Sequence, residues 1–237
     1  MGNPGKSSIS ATVVIPCRDE AESLPALIRA LPPDLHPLVV DNGSTDGTAE
    51  VATELGCTVV HQPIPGYGSA VNSGVEACDT EIVCTIDGDG SMDPDDLTRL
   101  VAAVAAGADL AVGRRRPVNH QAWPLHSRLG TQWIARRLRR RHRVPIHDIG
   151  PMRAARRNRL LALGITDQRF GYPVELLVRA GDAGWQITEL DITYRPRSGG
   201  RSKVSGSLKG TLLATRDFLS VLREMEERCT STRPRQS

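Results

Sequence analysis

An α/β fold built on a mostly parallel sheet, with helices on both faces, is what the first half of this sequence predicts. Two observations carry the prediction. Short β-branched runs alternate with stretches of helical length, and polar clusters stand just after three of the runs. Ala11–Ile15 is the first strand, and Glu20–Leu31 has a helical pattern stopped by Pro32-Pro33. Pro37–Val40 is a second strand, which leads through Asp41-Asn-Gly-Ser-Thr-Asp-Gly47 into a helix over Thr48–Leu55. Thr45 or Asp46 is the expected cap of that helix. Cys57–Val60 is a third strand, Ala70–Ala77 a helix and Ile82–Ile86 a fourth strand. After Pro94 a helix runs to Ala106, and Leu110–Val112 is a further strand.

The second half is less regular. Leu125–Arg140 reads as a helix, with apolar Leu125, Leu129, Trp133 and Leu138 among arginines. Trp185–Tyr194 reads as a strand. A last amphipathic helix carries Leu208, Leu212, Thr215, Leu219 and Leu222, for packing or for a partner, so self-association stays open. Residues 11–225 are expected to form one domain, between disordered ends at 1–10 and 226–237.

Bulk properties narrow the class. The five cysteines include no Cys-X-X-Cys pair, so they read as reduced, packed thiols and not as a disulfide frame or a zinc site. No apolar leader is visible at Met1–Ser10, and the longest apolar stretch, Leu100–Val112, is interrupted by Gly107 and Asp109. A cytoplasmic protein, at most peripheral on the inner face of a membrane, is expected. The net charge of +3 conceals an asymmetry: Arg114–His147 holds ten arginines and no acidic residue, and the remainder carries 20 basic against 27 acidic residues, a net −7. Such a tract suits phosphates or an anionic membrane. Nucleic acid is not expected, because the tract belongs to no recognised module and holds few aromatics.

In open parallel sheets, ligands bind beyond the carboxyl ends of the strands. That rule gathers Pro16–Glu20, Asp41–Asp46 and Asp87–Asp89 on one rim. Asp87-Gly-Asp89 follows a strand directly, so two carboxylates share a small volume. They repel unless a positive charge intervenes, and a divalent cation with oxygen ligands supplies one. The plainer reading is a strand-end turn before a helix whose first turn is Asp93-Pro-Asp-Asp96.

The runs Val13-Val-Ile-Pro-Cys-Arg-Asp-Glu20, Val39-Val-Asp-Asn-Gly-Ser-Thr-Asp-Gly-Thr48, Gly66-Tyr-Gly-Ser-Ala70 and Asp87-Gly-Asp-Gly-Ser-Met-Asp-Pro94 resemble those of the inverting family 2 glycosyltransferases. Within that family the pattern is similar to dolichol-phosphate and polyprenol-phosphate mannosyl- and glucosyltransferases. Asp148-Ile-Gly-Pro-Met-Arg-Ala, Phe170-Gly-Tyr-Pro-Val-Glu-Leu176 and Arg197-Ser-Gly-Gly-Arg-Ser-Lys203 extend the likeness to about residue 220.

The resemblance implies a GT-A type, Rossmann-like fold with a nucleotide-sugar half at 11–113 and an acceptor half at 114–225. It implies a GDP- or UDP-hexose donor, Mg2+ or Mn2+, and a polyprenyl phosphate or another small acceptor. Pro16, Arg18, Glu20 and Asp41 would hold base and ribose; Gly68, Gly88 and Arg115 would add donor contacts; Asp87 and Asp89 would flank diphosphate and metal. Arg197 and Lys203 would close over a phosphate. Glu175 is the candidate base for a hydroxyl acceptor, or orients Arg197 or the sugar. Asp148 is expected to meet Arg115 or the acceptor. Asn42 and Ser91 depart from the pattern, where relatives often carry Asp and Gln. Two alternatives stay open: rearrangement of the donor by a mutase or isomerase, and a non-catalytic nucleotide-sugar-binding subunit. For the arginine-rich helix, Trp123 and Trp133 are expected near lipid headgroups, with arginines toward lipid phosphate.

Overall fold

The computed structural model describes residues 10–197, with 216, 218–221 and 223. The expectations for both chain ends, for most of the last helix and for Lys203 lie outside those residues.

Seven strands form one sheet: β1 (Ala11–Cys17), β2 (Leu35–Asp41), β3 (Thr58–His61), β4 (Ile82–Thr85), β5 (Leu110–Pro117), β6 (Arg153–Arg156) and β7 (Ile187–Tyr194), in the order β3-β2-β1-β4-β6-β5-β7. Only β6 runs against its neighbours, β4 and β5. β1 is almost wholly buried because both sheet faces are covered, which is why it reads as a continuous apolar run. The period of two still sorts its side chains. Val13 and Ile15 pack with α1 (Leu24–Arg29), α2 (Thr48–Glu54) and α4 (Asp96–Ala105) on one face. Val14 packs with α3 (Tyr67–Ala77), α5 (Leu125–His142), α6 (Arg157–Ala162) and α7 (Tyr172–Asp182) on the other.

The chain leaves β1 toward β2 and β3, then returns to place β4 on the other side of β1. Loops after β1 and β4 therefore diverge and leave a crevice between them.

Four differences from expectation have local causes. The first helix begins at Leu24 and not at Glu20, because Ser23 and Leu24 donate to the Glu20 carbonyl in a tight turn, with Pro25 at the helix start. Glu20 is thereby left at the rim. β5 continues past Val112 because Arg114–Pro117 pair with Asp191–Tyr194. β6, α6 and α7 were not foreseen; the strand Arg-Ala-Ala-Arg lacks an apolar run. In α5, Leu138 is fully buried, whereas Leu125, Leu129 and Trp133 are exposed, so the four do not form one stripe.

Candidate active site

The rim is assembled by bonds between the loops. The Asp19 amide donates to Ser44 Oγ, Glu20 to Thr48 Oγ1, and Ala21 to Asp46 Oδ2, while Thr45 donates to Asp19 Oδ1. Asp46 also accepts from the Thr48 amide, but the residue at the cap of α2 is Gly47, at φ 86°. The polar run after β2 is thus a clasp for the loop after β1. Asn42 ties in a third loop: its Nδ2 donates to the Gln62 and Ile64 carbonyls, and its Oδ1 accepts from the Gly66 amide. An aspartate could accept the last bond but donate neither of the others. This accounts for asparagine at that position.

Asp87 and Asp89 lie where β4 gives way to the crevice. Burial first, and the Asp89 carboxylate second, push Asp87 up to about 7, against the pull of Arg197 and Arg115. Asp89 is buried, accepts from the Ser91 amide at 2.9 Å and pairs with Arg197 Nε at 3.0 Å. Glu20 lies 4.0 Å from the same guanidinium. Among the described residues no group of three or more His, Cys, Asp or Glu converges to hold a metal. The pair therefore fits a hard cation that draws further oxygens from a bound diphosphate and water, and does not fit a structural zinc.

Arg115 is fixed from three sides. Its Nε and Nη2 form a fork on Asp148 at 2.8 and 2.7 Å, and its own amide donates to the same carboxylate. The guanidinium stacks on Trp123 at 4.0 Å and lies 5.4 Å from the Tyr194 ring. Burial opposes its charge, but Asp148 outweighs burial and raises its pKa further. Glu189 in turn accepts from the Asp148 and His147 amides, fixing the loop that carries Asp148.

A cleft of about 580 Å³ has a lining of mixed chemistry. Arg18, Glu20, Asn42, Asp87, Asp89 and Arg115 are its polar part, and Pro124, Ile134, Ile149, Phe170, Pro173 and Phe218 are prominent in its apolar part. A ligand with a phosphate and an apolar body matches that composition.

Of the residues expected at the site, Pro16, Arg18, Glu20, Asp87, Gly88, Asp89, Arg115 and Arg197 line the cleft. Asp41 stands behind it, accepting from the Ser44 amide with His61 Nδ1 at 3.4 Å. Asp148 meets Arg115 and not an open face. Three residues stand elsewhere than expected. Gly68 packs against another loop: its amide donates to the Arg169 carbonyl, and a Cβ there would fall 2.1 Å from the Asp167 carbonyl oxygen. Glu175 is buried away from the cleft, accepting from the Thr166 and Asp167 amides, Thr166 Oγ1 and Arg179 Nε. Burial alone would raise its pKa, yet those donors hold it below the ordinary value. All of these partners except Arg179 lie in the loop before α7, so in this structure the carboxylate braces that loop. Trp123 is also corrected, from lipid headgroup level to the wall behind Arg115. The aromatic clamp of Trp123 and Tyr194 was missed, because it depends on residues 71 positions apart.

Fold and site define an enzyme of nucleotide-sugar chemistry, with acidic, phosphate-facing machinery at the switch point of a GT-A sheet. The chain belongs to glycosyl transferase family 2, whose model matches residues 12–163. An uncharacterized glycosyltransferase of Mycobacterium tuberculosis is 58% identical over 213 residues, covering 90% of this chain and 98% of that protein. The polyprenol monophosphomannose synthase of Mycolicibacterium smegmatis is 35% identical, covering 82% and 81%. Among solved structures, glucosyl-3-phosphoglycerate synthase from Mycobacterium tuberculosis, in complex with Mn2+, uridine-diphosphate and glucosyl-3-phosphoglycerate, has a TM-score of 0.72 at 20% identity. That match covers 95% of this chain and 86% of the other.

Proposed function

We propose that the enzyme transfers a hexose, with inversion, from a GDP- or UDP-sugar to a polyprenyl phosphate, with Mg2+ or Mn2+ held by Asp87 and Asp89. The observation that carries this reading is the mixed lining of one cleft, with carboxylates and arginines beside a large apolar surface that includes Ile134, Ile149, Phe170 and Phe218. A soluble phosphorylated acceptor would have no use for so much apolar lining. The name of the Mycolicibacterium relative supports a polyprenol acceptor, and the Mn2+ and uridine-diphosphate of the structural neighbour support a metal-dependent donor site.

The residues divide the work as follows. Pro16, Arg18 and Glu20 border the base and ribose, with Asp41 bracing them from behind. Gly88 keeps the carboxylate-bearing loop close to β1: a Cβ there would fall 2.8 Å from Cys17 Sγ. A divalent cation supplies charge neutralisation for the departing nucleoside diphosphate. Arg197 neutralises Asp89 in this structure; were a cation held by the carboxylates, its guanidinium would be free to bind the diphosphate. Arg115, held protonated and stacked, faces the acceptor phosphate. No general base is required, because a phosphate monoester is already ionised at neutral pH and its oxygen attacks the anomeric carbon directly. The position of Glu175 outside the cleft agrees with that economy.

The test is a transfer assay with UDP-glucose and GDP-mannose, Mn2+, and either a short-chain polyprenyl phosphate in detergent or 3-phosphoglycerate. Glycosylated lipid phosphate in the organic extract is the expected product. Transfer to 3-phosphoglycerate alone would overturn the acceptor assignment.

A further inference from the structure

Helix α5 presents a face of which only Trp133 also lines the cleft. At about 100° per residue, Leu125, Leu129 and Trp133 follow one another along one side of the helix, and Arg136 and Arg140 continue the same line toward its C-terminus. Ile134, Ala135, Leu138 and His142 point the opposite way, into the protein. The first three are 69%, 57% and 50% exposed, although each is large and apolar. Exposed single leucines are ordinary, but three in successive turns of one helix are not. Arg128, Arg136, Arg140 and Arg141 are also exposed and form no ion pair among the described residues. No acidic residue occurs anywhere between Arg114 and His147.

We infer that this face of α5 docks on an anionic lipid bilayer, with its first two turns sunk among the acyl chains and its arginines on lipid phosphates. Charge complementarity chooses the partner. A cationic surface repels a second copy of itself, whereas an anionic leaflet accepts both the leucines and the guanidiniums. Continuity with the cleft chooses the orientation: Pro124, Ser127, Gly130, Thr131 and Trp133 of the same segment line it. Docking by this face would therefore bring the cleft beside the bilayer that holds a prenyl chain. This deepens the lipid-phosphate reading and rests on it for the direction of entry. The docking itself rests on α5.

Vesicle sedimentation and bromolipid quenching test the inference on the intact protein. Recovery with vesicles of phosphatidylcholine plus about one third phosphatidylglycerol is expected, and not with phosphatidylcholine alone; high salt should weaken it. Arg136→Gln with Arg140→Gln should lower the partition coefficient about 30-fold, at about tenfold per 1.4 kcal/mol and about 1 kcal/mol per arginine at the surface. Leu125→Ser with Leu129→Ser should lower it at least about tenfold. Both pairs lie on the exposed face and outside the cleft lining, so UDP-glucose binding in a thermal-shift assay should be unchanged. Brominated acyl chains should quench Trp133, since Trp123 and Trp185 are buried, and Trp133→Phe should remove the quenching. Equal recovery with both vesicle types, or absence of quenching, overturns the inference. So does a dimer in solution that the leucine pair abolishes. If docking fails while the protein still glycosylates a short-chain polyprenyl phosphate in detergent, only the docking face is lost. If docking holds and no lipid is glycosylated, the acceptor assignment falls and the docking stands.

Discussion

Replacing Asp87 with asparagine should make the ligand-free protein more stable at pH 8, although it removes a carboxylate proposed to hold the metal. Burial and Asp89 raise the carboxyl from an ordinary 3.8 to about 7, so the folded chain holds this proton more tightly than the unfolded chain does. Between those values the folded state binds more protons, and stability from this group falls as pH rises through the window. At about 1.4 kcal/mol per pH unit the upper bound is about 4 kcal/mol. Asp87 keeps some solvent contact, which brings the expected penalty nearer to about 2 kcal/mol. Asparagine mimics the protonated form and escapes it. At about 2–4 °C per kcal/mol for a chain of this size, Asp87→Asn should melt about 4–8 °C above the parent at pH 8 and level with it near pH 4. The same proton competes with metal. In titrations of Mn2+ with UDP-glucose, whose diphosphate has no group ionising near neutrality, apparent affinity should fall about fivefold from pH 7 to pH 6. Calorimetry in matched buffers measures both arms. An asparagine variant that melts below the parent at pH 8 without ligands, or Mn2+ affinity flat from pH 6 to 8, would refute the reasoning.

Three further substitutions probe separate parts of the site. Asn42→Asp should cost about 2 kcal/mol in denaturant unfolding, because two part-buried carbonyls lose their donor and face a carboxylate. Asp148→Ala should cost about 3–5 kcal/mol by leaving Arg115 buried with its charge unmatched, and should lower transfer as well; a melting temperature within about 2 °C of the parent would show that the pair is not needed. Arg197→Ala should tighten Mn2+ binding in the absence of donor while lowering kcat, since it removes both Asp89's present partner and a cation for the diphosphate. Unchanged values in both measurements would remove Arg197 from the mechanism.

What could be read from the sequence was mostly what is local. Asp87 and Asp89 were legible because a strand end dictates where the next three residues emerge. The clasp of Asp41–Thr48 was visible as polarity, although not as the bonds to Asp19–Ala21 that give it a purpose. Gly68 and Glu175 misled for one reason: each has a residue type suited to a ligand, and each is spent on the segment 166–169, whose approach only tertiary packing reveals. Asp148 had two candidate partners and only the fold could choose. The error in α5 was avoidable, since Leu138 lies thirteen residues after Leu125 and therefore about 220° around the helix. β6 had no such signal. Two arginines and two alanines form a strand only because β4 and β5 offer it both edges.

That reversed strand has a mechanical consequence. β4 carries the carboxylates, β5 leads to Arg115 and β7 ends beside Arg197, and β6 joins the first two through backbone ladders on either side. The two walls of the cleft are consequently stitched into a single plate. Among the described residues they cannot swing apart like jaws without breaking a row of backbone hydrogen bonds. Side chains on that plate, such as the guanidinium now resting on Asp89, are free to turn without disturbing it, and this part of the enzyme behaves as a fixed bench with movable clamps.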